Sequence, residues 1–367
     1  MTNNSAQQDV TYAEINLSAL IHNIKILKQH ATHSNLVAVV KANAYGHGIA
    51  VLAKKLQDSQ QIYALGVARL SEALHLREAG IKLPIILLEG FFNNSDLPLL
   101  AKHQLQTVIH SQEQLQALLN SQLEEKLTIW LKFDTGMHRL GFHPTEFSNV
   151  LAILNNSKQV KQPVNLMTHF SCADEINNSM TAQQIDLFKS TTSTHTGLCS
   201  LASSAGILAW PKSHADIVRP GIALYGISPF ADKTGNDHQL QPVMTLKSRL
   251  IAVRQHSAGQ CVGYGATWRA EQDTILGVIA VGYGDGYPRI APSGTPVLVN
   301  GRIVPIVGRV SMDMITVNLG ATAIDKVGDN VTLWGEGLPV ETVAKHIGTI
   351  AYELVTKLTA RVSLSYY

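Results

Sequence analysis

From Leu36 onward the chain repeats one pattern: a short apolar run, then a stretch with apolar residues three or four apart. The runs begin at Leu36, Ile62, Pro84, Leu105, Leu127, Val164, Cys199 and Asp216. Short apolar runs bounded by polar residues read as core strands. Between most of them, "GIAVLAKKL", "SEALHLREAG", "SQEQLQALLN", "TEFSNVLAIL" and "TAQQIDLFKS" carry helical periodicity, and several open after Ser, Thr or Asp. Gly80, in "REAG", stands where a helix C′ glycine is expected. A further helix, from Ala19 to Ala31, precedes the first run. Parallel strands need long crossover connections, so eight strands alternating with helices predict a (β/α)8 TIM-type barrel. A doubly wound open sheet is the alternative that spacing alone leaves open.

Near Gly235 the texture changes. "ADKTGNDHQL" is polar and turn-rich, and beyond it "TLKSRLIAVRQ", "TILGVIAVGY", "TPVLVNGRIVPIVG", "MITVNL" and "NVTLWG" read as strands. Asn300-Gly301 between two apolar runs signals a type I′ hairpin, which needs φ > 0 at both positions. A closing helix is expected over about Val340 to Leu358. The predicted organisation is a barrel over 1–235 and a mostly β domain over 236–367.

Composition narrows the function classes. Apolar residues make up 45%, charged residues 15%, and the net charge is +2 with no block of like charges. That is an ordinary globular chain without a nucleic-acid footprint or a membrane-binding face. The opening "MTNNSAQQDV" lacks the apolar core of a signal peptide, and no apolar run is long enough to span a bilayer. The three cysteines, Cys172, Cys199 and Cys261, form no C-x-x-C and suit a reducing cytoplasm. "NNS" occurs four times, but without a secretory signal these triplets read as loops. The histidines show no H-E-x-x-H spacing, so no dedicated metal site is expected. "GYGDG" opens no helix and does not complete a dinucleotide fingerprint.

In a (β/α)8 barrel the active site gathers at the C-terminal ends of the strands. "NLVAVVKANAYGHG" ends its apolar run on Lys41. If the strand persists, Lys41, Asn43 and Tyr45 point to one side. A snorkelling lysine is the plain alternative. A lysine desolvated at an apolar barrel mouth can instead act as a nucleophile or Schiff-base partner. Other strand ends carry polar groups. "KFDTGMHRLGF" brings Lys132, Asp134, His138 and Arg139, and "MTHF" brings His169. "LASSAGIL" brings Ser203 and Ser204, and "IVRPGIALYG" brings Arg219, Gly221 and Ile222. Singly, each fits a cap, a core residue or a surface pair. Together they converge. Ser204 at a helix start and the amides near Gly221 suit a phosphate. A Schiff-base lysine beside a phosphate cradle points to pyridoxal phosphate.

The motifs "AVVKANAYGHG", "LKFDTGMHRLGF", "RPGIALYG", "VGYGATW", "AVGYGDGYPR", "GRVSMDM" and "IAYELVTKL" occur in the order found in the alanine racemases, which the chain resembles from about Tyr12 to the C-terminus. The resemblance implies a pyridoxal-phosphate barrel with a β-rich C-terminal domain. It also implies a head-to-tail homodimer whose active sites are each completed by the partner, and a small amino-acid substrate, L- or D-alanine.

By the same resemblance Lys41 forms the Schiff base with the cofactor and acts on the D face of the substrate. Tyr264 acts on the L face from the other subunit. A free tyrosine titrates near ~10, so as a base it needs help, which His169 and Arg219 are placed to give. Arg219 matches the residue facing the pyridine nitrogen. Arg139 matches the residue near the phenolic oxygen and the substrate carboxylate. Lys132 matches a lysine that is carbamylated in family members. Tyr45, Ser203, Ser204, Gly221, Ile222 and Tyr352 match cofactor positions. Tyr283, Met312 and Asp313 match the substrate entrance and carboxylate-binding surface. Ser203, Ser311, Met314, Gly284 and Trp268 depart from the commoner choices, and none removes a group the mechanism needs. The expected task is supplying D-alanine to peptidoglycan, with catabolism of one enantiomer as the other use of the same chemistry. A broad-specificity racemase, a decarboxylase of the same fold type and a non-catalytic cofactor-binding barrel are the alternatives. The setting of Arg219 together with "VGYGATW" argues against the decarboxylase, and the extra domain carrying Tyr264, Met312 and Asp313 argues against the binding protein.

Overall fold

The computed structural model describes residues 9–367. The polar opening segment, read above as lacking an export signal, lies largely outside the described residues. The chain divides into two compact units, one over Ile21–Leu224 and one formed by the residues up to Leu20 together with Tyr225–Tyr367.

After strand β1 (Tyr12–Ile15) and the helix Leu17–His30, the first unit is built on eight parallel strands. They are β2 (Asn35–Val39), β3 (Ala64–Val67), β4 (Ile85–Leu87), β5 (Gln106–Ile109), β6 (Leu127–Lys132), β7 (Val160–Met167), β8 (Cys199–Ser203) and β9 (Ile217–Arg219). They close into a barrel through pairing of β9 with β2, Asn35 opposite Ile217 and Leu36 opposite Val218. This selects the barrel over the open sheet. The strands are apolar on both faces because helices cover the outside and side chains fill the inside. Val37, Ala64, Ile86, Val108, Trp130, Met167 and Ile217, each from a different strand, form one packed core. Trp130 is fully buried, and its indole N–H donates to Gln106 Oε1 at 2.8 Å.

The crossover helices fall where periodicity put them, and Ser111 caps Gln112–Leu119 by accepting from the Gln114 amide. Gly80, at φ +81°, follows the helix Leu70–Glu78 as expected of a C′ residue. The helix Pro144–Asn156 begins one residue before "TEFSNVLAIL". Its cap is His143, and proline occupies the first turn.

One local expectation fails. β2 stops at Val39, and Lys41 begins a left-handed turn. Ala42, Asn43, Ala44 and Tyr45 have φ of 52°, 55°, 53° and 52°. The period-2 alignment of Lys41, Asn43 and Tyr45 therefore does not apply, because it presumes extended backbone.

In the second unit β10 (Met244–His256) is the spine. It pairs with β1, with β13 (Thr274–Ile279) and with β17 (Asn330–Trp334). Between β10 and β13 lies the small hairpin of β11 (Cys261–Val262) and β12 (Trp268–Arg269). The strands β14 (Pro296–Val299) and β15 (Arg302–Pro305) form the predicted hairpin, with φ of 47° at Asn300 and 78° at Gly301. β16 (Ile315–Asn318) joins β13, and β18 (Ser363–Tyr366) runs parallel to β1. The sheet therefore takes in the N-terminal strand, which the 1–235 division assigns to the barrel. Its register, Glu14 opposite Thr245 and Ser365, draws on segments far apart in the chain. The closing helix is two helices, Val340–Ile347 and Ala351–Thr356, separated at Gly348 with φ +81°.

Candidate active site

The barrel places seven of the expected residues at or just beyond strand ends. Lys41 follows β2, Lys132 ends β6, His169 follows β7, Ser203 ends β8 and Arg219 ends β9, with Ser203 and Arg219 in register. Gly221 and Ile222 come directly after Arg219. Arg139 lies on the loop after β6, which Asp134 organises. Its Oδ1 accepts from the amides of Gly136, Met137 and His138 at 3.0, 3.1 and 3.1 Å. Burial works against the Asp134 charge, yet those amide bonds hold its pKa below the usual carboxylate value.

Positive charge accumulates here. Lys132 is buried, with 8% of its surface exposed. Burial first, then the charges of Arg219, Arg139 and Lys41, push its pKa down to about 8 against the opposing influence of Glu89. Arg219 is buried, and burial lowers its pKa to about 10, so it is still charged at neutral pH. Its partners are neutral. Nη1 donates to Ser200 Oγ at 2.6 Å, and Nη2 donates to the Thr168 and Leu201 carbonyls at 2.7 and 3.2 Å. Among the described residues no carboxylate forms an ion pair with it. A buried cation held only by neutral acceptors suits an anionic or acceptor ligand.

His169 Nδ1 lies 3.5 Å from Arg219 Nη2. A guanidinium only donates, so that nitrogen serves as acceptor and Nε2 carries the proton. Burial, followed by the charges of Arg219, Lys132, Arg139 and Lys41, holds the imidazole pKa well below its usual value. His169 is therefore neutral at pH 7.

A second cluster lies at the Tyr45–Gly221 contact. The Ser204 hydroxyl accepts from the amides of Gly221 and Ala223 at 2.9 and 3.2 Å. Those two donors, expected to point at a phosphate, are thus occupied by Ser204. A Cβ on Gly221 would stand 2.7 Å from Tyr45 Oη, so only glycine lets the tyrosine hydroxyl approach this backbone. Burial raises the Tyr45 pKa to about 12, keeping it a protonated donor.

Gln184, on the helix Met180–Thr191, carried no signal in the sequence. It is fully buried. It donates to Thr135 Oγ1 at 3.0 Å and the His169 carbonyl at 3.2 Å, and accepts from the Ser171 amide at 3.0 Å. Thr135 meets Thr168 at 2.7 Å. This buried network ties the loops after β6 and β7 to the carbonyl that holds Arg219.

The left-handed turn encloses His47. Its Nδ1 lies 3.1 and 2.8 Å from the carbonyls of Ala44 and Tyr45 and therefore bears the proton. Burial lowers its pKa to about 4 against those two bonds. Between the usual 6.5 and about 4 the unfolded chain binds a proton that the folded chain refuses. Stability is fully present above that window and falls as pH drops through it, by roughly 3 kcal/mol in all. Urea unfolding at pH 7 and pH 4 should show this loss, and His47→Gln should remove it.

In the second unit Tyr264 sits on a turn with Gly263 and Gly265 at positive φ, joining β11 to β12, and is 70% exposed. Trp268 packs against Val262, Leu276 and Val307. Tyr283 and Met312 are joined by backbone: the Tyr283 amide donates to Ser311 O at 3.1 Å and the Gly284 amide to Met312 O at 2.8 Å. Arg361 bridges Asp285 at 3.1 Å and Asp313 at 2.9 Å. A Cβ at position 284 would lie 2.4 Å from Arg361 Nη1, which gives the departure at Gly284 a local reason. Tyr352 lies half-buried on the helix Ala351–Thr356.

Fold and site together define a (β/α)8 barrel whose mouth gathers Lys41, Lys132, Arg139 and Arg219, with a β unit after it. Two family descriptions match the chain: "Alanine racemase, N-terminal domain" over residues 15–229 and "Alanine racemase, C-terminal domain" over 243–366. The chain belongs to the alanine racemase family, whose members are isomerases. It is similar to the alanine racemase of Aeromonas hydrophila subsp. hydrophila, 58% identical over 96% of this chain and 98% of that one. The Vibrio cholerae alanine racemase is 57% identical over 97% and 98%. The crystal structure of biosynthetic alanine racemase from Pseudomonas aeruginosa superposes with a TM-score of 0.95 at 44% identity, covering 98% of this chain and all of that one.

Proposed function

We propose that this protein interconverts L- and D-alanine with pyridoxal phosphate, as a homodimer, in the cytoplasm, supplying D-alanine for peptidoglycan. The observation that carries the proposal is the convergence of Lys41, Lys132, Arg139 and Arg219 on a neutral His169 at one barrel mouth. Family membership over the full length supports it and disfavours the decarboxylase and the broad-specificity racemase. Among the described residues no helix is long and apolar enough to cross a membrane.

The residues fit the cofactor. An excess of cations suits a phosphorylated anion, and the Tyr45–Gly221 contact has no room for a Cβ. Lys41 would hold the aldehyde carbon. Tyr45, Ser203, Ser204 and Ile222 would hold the phosphate, with Gly221 leaving room for Tyr45, and Arg219 would face the pyridine nitrogen. When bound, pyridoxal phosphate supplies an electron-accepting ring that stabilises the charge left at Cα when a proton departs.

Racemisation removes a proton from one face and returns one to the other, so it needs two groups. Lys41 Nζ exchanges the proton on the D face. Tyr264 of the partner subunit exchanges it on the L face. A neutral His169 with its proton on Nε2 can donate to the tyrosine oxygen and support its anionic form. Arg219 donates and cannot accept, so a ring nitrogen held there would stay an unprotonated acceptor, which would favour return of the proton to Cα over side reactions. Arg139, with Met312 of the partner subunit, receives the substrate carboxylate at an entrance flanked by Tyr283 of the partner subunit and Asp313 of the partner subunit.

We propose that Lys132 becomes a carbamate in the presence of carbon dioxide, which replaces its positive charge with a negative one and leaves Lys41, Arg139 and Arg219 as the cations of the mouth. Only the neutral amine attacks carbon dioxide: an N–C bond forms, one C=O becomes a carboxylate oxygen, and an N–H proton leaves to solvent. Titration near about 8 makes that amine available close to neutrality. At fixed dissolved 13CO2, a carbamate 13C signal should rise as pH passes through 8 and be missing in Lys132→Met. A signal unchanged by that substitution would count against it.

The overall proposal is tested by the loss of optical activity of L-alanine with cofactor-loaded protein, beside a panel of larger and basic amino acids. Preference for alanine without release of carbon dioxide is the expected outcome. Decarboxylation of lysine or ornithine would reject it.

A further inference from the structure

Four consecutive left-handed residues directly after Lys41 need an explanation. Outside glycine this conformation costs about 1–2 kcal/mol per residue, so Ala42 to Tyr45 together carry several kcal/mol of strain. Such a turn persists only when its surroundings over-determine it. Part of the restraint is internal. The Ala44 amide donates to Val40 O at 2.8 Å, Gly46 to Ala42 O at 3.0 Å and Gly48 to Asn43 O at 3.0 Å. Asn43 Oδ1 accepts from the Ile49 amide at 2.9 Å.

The restraint nearest the lysine comes from elsewhere. The amide of Ala42, the peptide bonded to Lys41, donates to Glu72 Oε1 at 2.6 Å. The other carboxylate oxygen, Oε2, accepts from the amides of Ala68 and Arg69 at 2.9 and 3.0 Å, at the start of the helix Leu70–Glu78. One side chain therefore ties the first left-handed residue to the loop after β3. All three contacts are N–H donors, so both oxygens must accept. A carboxylate meets that requirement and a primary amide does not.

We propose that Glu72 is a positioning residue for Lys41. It fixes the point at which the chain leaves β2 for the left-handed turn, and thereby the direction in which the lysine amine is presented. The inference rests on the reading of Lys41 as the reacting amine. Glu72 touches neither substrate nor cofactor in this role.

The test compares Glu72→Gln and Glu72→Asp with the parent as purified full-length protein, with and without pyridoxal phosphate. In Glu72→Gln the amide carbonyl satisfies Ala68 and Arg69, and the NH2 then opposes the Ala42 N–H. Glu72→Asp is one methylene too short to span both sides. Amide hydrogen exchange in a peptide covering 40–48 should accelerate about tenfold or more in both variants, while the core strands stay protected. In Glu72→Gln the helix Leu70–Glu78 should also stay protected. The rate at which Lys41 condenses with added cofactor, followed by absorbance, and kcat for alanine should fall about 10- to 100-fold, with KM moving less than about threefold. Parental exchange over 40–48 in a folded variant would overturn the proposal. So would parental condensation kinetics despite faster exchange, or a loss that follows global unfolding and spares neither helix nor core. If the parent itself fails to racemise alanine, the proposed function fails, while the exchange comparison still scores the anchoring by Glu72.

Discussion

Lys41→Ala should lose alanine racemisation by about 10⁴-fold or more. A lost acid–base group alone accounts for about 10²–10⁴-fold, and in the proposed reading the same amine also holds the cofactor. The lysine follows β2 at the mouth where Lys132 and His169 both feel its charge, so it belongs to the site and not to a solvated face. Its removal lowers the excess positive charge without opening a core cavity, and the fold should survive. Two readouts separate lost chemistry from lost structure. Borohydride reduction of the loaded parent should fix a pyridoxyl group on the peptide containing Lys41, and the variant should gain none. Thermal unfolding of the variant should stay close to that of the parent. Racemisation retained by Lys41→Ala would reject the assignment outright.

Tyr264→Phe should slow racemisation by about 10²–10⁴-fold and leave an asymmetry that no structural defect imitates. If Lys41 serves the D face and Tyr264 of the partner subunit the L face, D-alanine should still exchange its Cα hydrogen for deuterium in heavy water. L-alanine should not. The tyrosine is 70% exposed on a glycine-flanked turn, so losing its hydroxyl leaves no buried group unpaired. Mixing this variant with Lys41→Ala tests the shared site. In a hybrid dimer with shared sites, one site carries both substitutions and the other carries neither, so two inactive parents should recover about a quarter of native activity. Sites built within single chains would recover nothing. Equal exchange of both enantiomers by Tyr264→Phe would contradict the two-face assignment.

The barrel was legible because its strands are buried on both faces and read as continuous apolar runs, while the intervening helices keep a 3.6-residue period. The hairpin at Asn300-Gly301 was legible because two adjacent positive φ angles demand those residue types. Strand β1 was not, since Tyr12–Ile15 is a four-residue segment whose partners, β10 and β18, lie at the other end of the chain. The left-handed turn was hidden for a different reason. "KANAY" carries no glycine until Gly46, and its left-handed backbone is held by contacts with Glu72 and His47 as well as by its own turn hydrogen bonds, not by residue propensity.

In the site the same division holds. The sequence alone determined the chemical groups available at the strand ends, Lys41, Lys132, His169 and Arg219, because parallel barrels place those positions at one mouth. It could not distinguish Glu72 or Gln184 from ordinary polar residues on amphipathic helices, since their partners are backbone amides and carbonyls of other loops. Nor could it show that Ser204 would occupy the Gly221 amide. Periodicity and residue chemistry are local and travel with the chain. Which buried donor meets which acceptor, and which cations lie close enough to lower the pKa of Lys132, depend on distances between segments far apart in sequence, and only the tertiary structure decided them.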